Sequence, residues 1–190
     1  MKIVLCPGMH SPDLTVSFWR SIRHEFGRLY PRHPLTDPDT VPQAEQWGFT
    51  PWPVRQHLSQ TVDLADPLVF IGFSAGVVGA IAAAWAWQRQ GGTIRAFMAL
   101  DGWGVPLAGS FPIYRFSHDA FTHWSSQPLG IGQQPFYADP GVAHLDLWRS
   151  PHQVWGWRVY PSHRVRMTAA EALCRSLAHA SDWPLHLNAG

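Results

Sequence analysis

One serine in this chain, Ser74, sits between two glycines in Gly72-Phe73-Ser74-Ala75-Gly76, a spacing that could make it a nucleophile. The apolar run Pro67-Leu68-Val69-Phe70-Ile71 precedes it, and an apolar stretch over 77–90 follows, ending at Gly91-Gly92. A strand turning sharply into a helix holds such a serine at the tip of the turn, with its hydroxyl in open space. Glycine suits positions 72 and 76, because the turn presses its backbone against flanking segments and a Cβ would collide there. A helix starting at once leaves the Ala75 N–H without an intrahelical partner at a positive helix end, where it can stabilise an oxyanion. An ordinary serine N-cap would use the same letters. The strand before it and the helix after it favour the nucleophile.

A serine hydroxyl attacks well only when a base removes its proton and a third group orients that base. In a parallel sheet these groups gather at the C-terminal ends of strands. Asp119 closes the apolar run 111–116, and His144 follows the next run, 134–137. Asp119 is therefore the expected acid and His144 the expected base. Asp101 is the alternative acid, since it ends the run 94–100, although Asp101-Gly102 also reads as a plain turn. His118 adjoins Asp119 and would point away from it on extended backbone. His10 and His123 are weaker candidates for the base. The loop Cys6-Pro7-Gly8-Met9-His10 supplies a second oxyanion donor, the Met9 N–H. Trp103 and Phe121, with His10, are expected along the substrate path. Phe111, Tyr114, Phe116 and Trp124 either join them or pack the core.

The elements that must hold these groups can be read from periodicity. Residues 2–6 form a short buried strand. Ser11-Pro12-Asp13 opens a helix in which Leu14, Phe18, Ile22 and Phe26 recur every fourth residue, with Gly27 as its stop. Residues 28–30 fit a second strand, and 31–53 a long loop rich in proline. Val54, Leu58 and Val62 keep helical spacing. Residues 145–149 read as helix as far as Pro151. Thr168-x-x-Glu171 is a capping box that opens a helix carrying Leu173 and Leu177. Strands alternating with helices predict an α/β fold: a single domain, 1–190, with a mainly parallel central sheet and helices on both faces.

Composition excludes several functions. The 190 residues carry a net charge of +1 and no run of Lys or Arg, which argues against a nucleic-acid partner. No stretch is apolar enough for a transmembrane segment. Two cysteines, Cys6 and Cys174, give no disulfide framework, so a reducing, cytoplasmic setting is expected. No H-E-x-x-H pair appears among the eleven histidines, so no metal is expected, and no nucleotide-binding glycine motif follows the first strand. Eleven tryptophans and ten phenylalanines exceed what a core of this size needs, and the surplus in loop segments fits an apolar pocket.

With these residues in place, the chain resembles the α/β-hydrolase family. Pro7-Gly8-Met9 resembles its oxyanion loop, Gly72-Phe73-Ser74-Ala75-Gly76 its nucleophile elbow, Asp119 its acid and His144 its histidine. The chain is short for that family, which implies fewer N-terminal strands and no cap domain. The resemblance implies ester or thioester hydrolysis of a small-molecule acyl substrate through a covalent acyl-enzyme, without a cofactor. The alternative is an inactive scaffold of that fold used to bind a ligand or protein.

Overall fold

The computed structural model describes residues 1–43 and 50–181. Part of the expected loop over 31–53, residues 44–49, lies outside them. One eight-stranded sheet runs through the molecule in the order β2-β1-β3-β4-β5-β6-β7-β8. The strands are β1 (Lys2–Cys6), β2 (Asp39–Thr40), β3 (Leu68–Phe73), β4 (Ile94–Leu100), β5 (Ile113–Ser117), β6 (Phe136–Ala138), β7 (Trp155–Val159) and β8 (Arg164–Thr168). The first six are parallel, and β7 and β8 pair antiparallel at one edge.

Among the described residues, six α-helices cover the sheet or its ends: α1 (Pro12–Leu29), α2 (Trp52–Thr61), α3 (Ala75–Arg89), α4 (Ala120–Ser126), α5 (Asp146–Arg149) and α6 (Ala169–Ala180). Period-two alternation divides each inner strand between two cores. Ile3, Leu5, Val69, Ile71 and Phe73 face one core, with α1, α5 and α6. Val4, Cys6, Leu68 and Phe70 face the other, with α2 and α3. Small residues (Gly79, Ala80, Ala83, Ala84) let α3 lie close to the sheet, and all four are buried. Cys6 and Cys174 are buried free thiols in opposite cores.

The first helix does not stop at Gly27. It continues to Leu29, so the strand expected over 28–30 is the last turn of α1. An exposed glycine weakens a helix without ending it, and the Glu25–Arg28 ion pair at 2.7 Å straddles this one. The second strand is instead Asp39–Thr40, inside the loop. The β7–β8 hairpin and α4 were not expected. At the start of α6, the Thr168 hydroxyl accepts from the Glu171 N–H at 3.1 Å, as the capping box requires.

Candidate active site

The turn between β3 and α3 places Ser74 at φ 52° and ψ −125°, backbone that non-glycine residues seldom adopt. Its N–H donates to the Leu100 carbonyl at 2.9 Å, which ties the turn to the end of β4. Its side chain makes no capping hydrogen bond to α3, so the hydroxyl is not spent as an ordinary N-cap. Gly76 is needed for close approach, because a Cβ there would lie 2.3 Å from the Cys6 carbonyl oxygen. Gly8 is similarly confined, since a Cβ there would lie 2.9 Å from the Phe73 carbonyl oxygen and 3.1 Å from the Ser74 Cβ. The loop after β1 is thereby wedged against the serine turn. Ala75, in the first turn of α3, and Met9 both line the cleft beside Ser74.

Ser74, Ala75, Met9, Asp101, His118, Asp119 and His144 all line one cleft of about 650 Å³. The carboxylate beside His144 differs from the expectation. His144 Nδ1 lies 2.7 Å from Asp101 Oδ2, and Asp101, not Asp119, is the carboxylate that holds it. Asp119 faces elsewhere: its Oδ1 accepts from the Thr122 N–H at 2.7 Å and caps α4. Partial burial pushes the Asp119 carboxyl up, but hydrogen bonds from Thr122 and the nearby His118 outweigh it and hold it below the usual range. The physical reason lies in the backbone. Asp119 is extended and opens a helix, so its short side chain is drawn to the helix amides. Asp101 has φ 52°, which turns its carboxylate in under the end of β5, where the His118 N–H donates to Oδ1 at 2.8 Å.

Neighbouring side chains fix the His144 ring. It stacks on Phe73 at 4.8 Å, and Phe73 in turn stacks on Trp148 at 4.9 Å. With Nδ1 directed at Asp101, Nε2 is left for the cleft. The His118 ring also approaches Asp101, its Nδ1 2.9 Å from Oδ2, and contact with that carboxylate holds its pKa above the ordinary histidine value. Asp101, His118 and His144 thus bring three ligand-type atoms within 4.8 Å of one another, a set that could hold a metal ion.

Arg115, which sequence reasoning missed, is buried and donates to the carbonyls of Gly102 at 3.2 Å, Val105 at 3.2 Å and Gly130 at 2.9 Å. It clamps the loop that follows Asp101. Burial pushes its pKa down to about 10. Its signal in the sequence is a lone arginine inside an apolar strand, Ile113-Tyr114-Arg115-Phe116, where a charge needs several partners.

Of the residues expected along a substrate path, two line the cleft and His10 does not. Trp103 (61% exposed) and Phe121 (71% exposed) line the cleft, with Val78 and Val105 beneath. The Trp103 Nε1–H donates to Ser125 Oγ at 2.9 Å, which pins the indole to α4. His10 does not line this cleft. It packs against Phe73 and Trp148 and lines another cavity, to which Gly8 and Met9 also contribute. Phe111, Tyr114 and Phe116 are core. His123 is buried in α4 and stacked on Tyr137.

No protein-family model matches the chain, and no curated protein matches it significantly. No helix among the described residues is long and apolar enough to cross a membrane.

Proposed function

We propose that this chain is a small serine hydrolase of ester or thioester bonds, built on the α/β-hydrolase plan, with Ser74, His144 and Asp101 as its triad. The observation that carries the reading is the conjunction of three features. Ser74 stands at positive φ on a strand-to-helix turn, its hydroxyl is not used as a cap, and it shares a cleft with a histidine held by a buried aspartate.

In this reading His144 Nε2 accepts the Ser74 proton as Oγ bonds to the acyl carbon, and Asp101 supports the imidazolium that results. The Ala75 and Met9 N–H groups receive the developing oxyanion. As the bond to the leaving group breaks, His144 returns the proton to the departing alcohol or thiol. Water then repeats the sequence and frees the acid. Met9, Trp103 and Phe121 favour an apolar acyl group, since they expose large apolar surface at the cleft.

A fluorophosphonate should label Ser74 alone, and Ser74→Ala should abolish both labelling and turnover of aryl esters. A folded wild-type protein that resists the probe would leave the inactive-scaffold alternative standing. Prolonged chelation should leave turnover unchanged, because side chains and backbone supply all the proton transfer and charge stabilisation described.

A further inference from the structure

We infer that Asp101, His118 and His144 form a zinc site laid over the hydrolytic site, and that Zn²⁺ bound there switches hydrolysis off. Binding itself is independent of the serine-hydrolase reading. Only its consequence for turnover rests on that reading.

A triad needs one imidazole on its carboxylate. Here a second is present, and both rings direct Nδ1 at the same oxygen, Asp101 Oδ2, at 2.7 Å for His144 and 2.9 Å for His118. The His118 Nδ1 is buried and pairs with Oδ2 at 2.9 Å without good hydrogen-bond geometry. Two imidazole nitrogens thus crowd one carboxylate, and the three ligand atoms lie within 4.8 Å of one another. A metal ion among the three groups would engage all of them.

The donor set suits zinc. Two imidazole nitrogens and a carboxylate oxygen are common zinc ligands, whereas calcium and magnesium favour sites made of oxygen. Tetrahedral zinc with bonds of about 2.0–2.2 Å sets its ligand atoms roughly 3.2–3.6 Å apart. The carboxylate oxygen would therefore draw back by several tenths of an ångström, and both rings would turn slightly. Asp101 is already held on its other oxygen by the His118 N–H at 2.8 Å, the kind of outer contact that fixes a metal-binding carboxylate. Both histidine side chains are partly exposed and line the cleft, so the ion can enter and a water can complete its coordination.

Inhibition follows from proton balance. Neutral His144 carries its proton on Nδ1 while it donates to Asp101. When Nδ1 binds zinc, that proton moves by way of solvent to Nε2, so that the ring stays a neutral imidazole. With Nε2 protonated toward the cleft, the ring cannot accept the Ser74 proton. His118, if protonated, releases one proton to solvent as it binds. Nothing is oxidised or reduced, and no bond of Ser74 changes.

Full-length protein stripped with a chelator would be dialysed against Zn²⁺ and assayed on an aryl ester, with Co²⁺ substituted in parallel for its visible absorption. One zinc per chain should bind, turnover should fall to near zero, and chelator should restore it fully. The Co²⁺ form should show a visible band of a four-coordinate nitrogen–oxygen site. His118→Gln and His118→Ala, which leave the backbone donor to Asp101 in place, should weaken zinc binding at least about tenfold, so that whatever turnover each shows in chelator takes at least about tenfold more zinc to suppress. Failure of the wild type to retain zinc overturns the proposal, as do histidine variants that remain equally zinc-sensitive. Turnover that rises with zinc overturns the inhibitory role. Zinc bound by a wild-type protein that takes no fluorophosphonate and turns over no ester would establish the site and sink the hydrolase reading instead.

Discussion

Asp101 and Asp119 close neighbouring parallel strands, β4 and β5, and both line the same cleft. They differ in backbone and in burial. Asp101 is 5% exposed, stands at φ 52°, and divides its carboxylate between the His118 amide and the His144 ring. Asp119 is extended, its side chain 34% exposed, and it serves the first turn of α4. Arriving at a strand end is therefore insufficient to make an aspartate a partner for the histidine. The chain must also turn the carboxylate inward, away from any helix amides that would claim it.

The widest gap between the two corners should appear in turnover. Asp101→Asn should cost about four orders of magnitude near neutral pH, because the imidazole loses its orienting acceptor. Asp119→Asn should stay close to wild type. Ester assays on both variants, with circular dichroism to verify folding, would decide the matter, and the opposite ranking would reverse the assignment.

The loop that holds the Asp101 corner offers a second comparison. Arg115→Met removes four hydrogen bonds, to the Gly102, Val105, Leu129 and Gly130 carbonyls, and should lower stability by about 2 kcal/mol in urea unfolding. Turnover should fall with it, since the turn after Asp101 loosens. Unchanged stability would mean that the loop holds without its clamp.

At the other corner, Asp119→Ala should cost about 1 kcal/mol, the usual worth of an N-cap, and leave ester turnover nearly intact. A larger drop in turnover than in stability would give Asp119 a role beyond capping.

The smallest effect concerns pH. Burial holds the His123 pKa below the ordinary value, with the Arg115 charge adding to that shift. The unfolded chain therefore takes up this proton more readily than the folded one. The contribution of His123 to stability is complete above about pH 6.5 and is lost as pH falls through its lowered folded pKa. His123→Phe should flatten the loss of stability on acidification in thermal melts across that range. An unchanged slope would assign the acid sensitivity to other groups.

Much of the site's frame was legible because its signals are local. The strand and helix around Ser74, the proline-led start of α1 and the Thr168 capping box each depend on residues within a few positions of one another. Gly27 misled because a glycine stops a helix only when the next turn lacks support, and here the Glu25–Arg28 pair supplies it. The hairpin of β7 and β8 escaped notice although Trp155 to Val159 and Arg164 to Thr168 flank a Pro161-Ser162 turn. A buried arginine, Arg158, interrupts its alternation, and that charge is satisfied by Ala172, Gln134 and Ser176 from other elements.

The sequence by itself determined where a nucleophile could stand, since a strand, a tight turn and a helix are written in consecutive residues. It also determined that His144 would follow a strand and precede a helix. Only the tertiary structure decided which aspartate meets that histidine. Asp101 and His144 lie 43 residues apart, and their contact depends on the parallel pairing of β4, β5 and β6 and the left-handed turn at Asp101. It also brought the His118 ring to the same carboxylate, a meeting that short-range spacing does not encode because it is set by how the β4 and β5 ends are aligned.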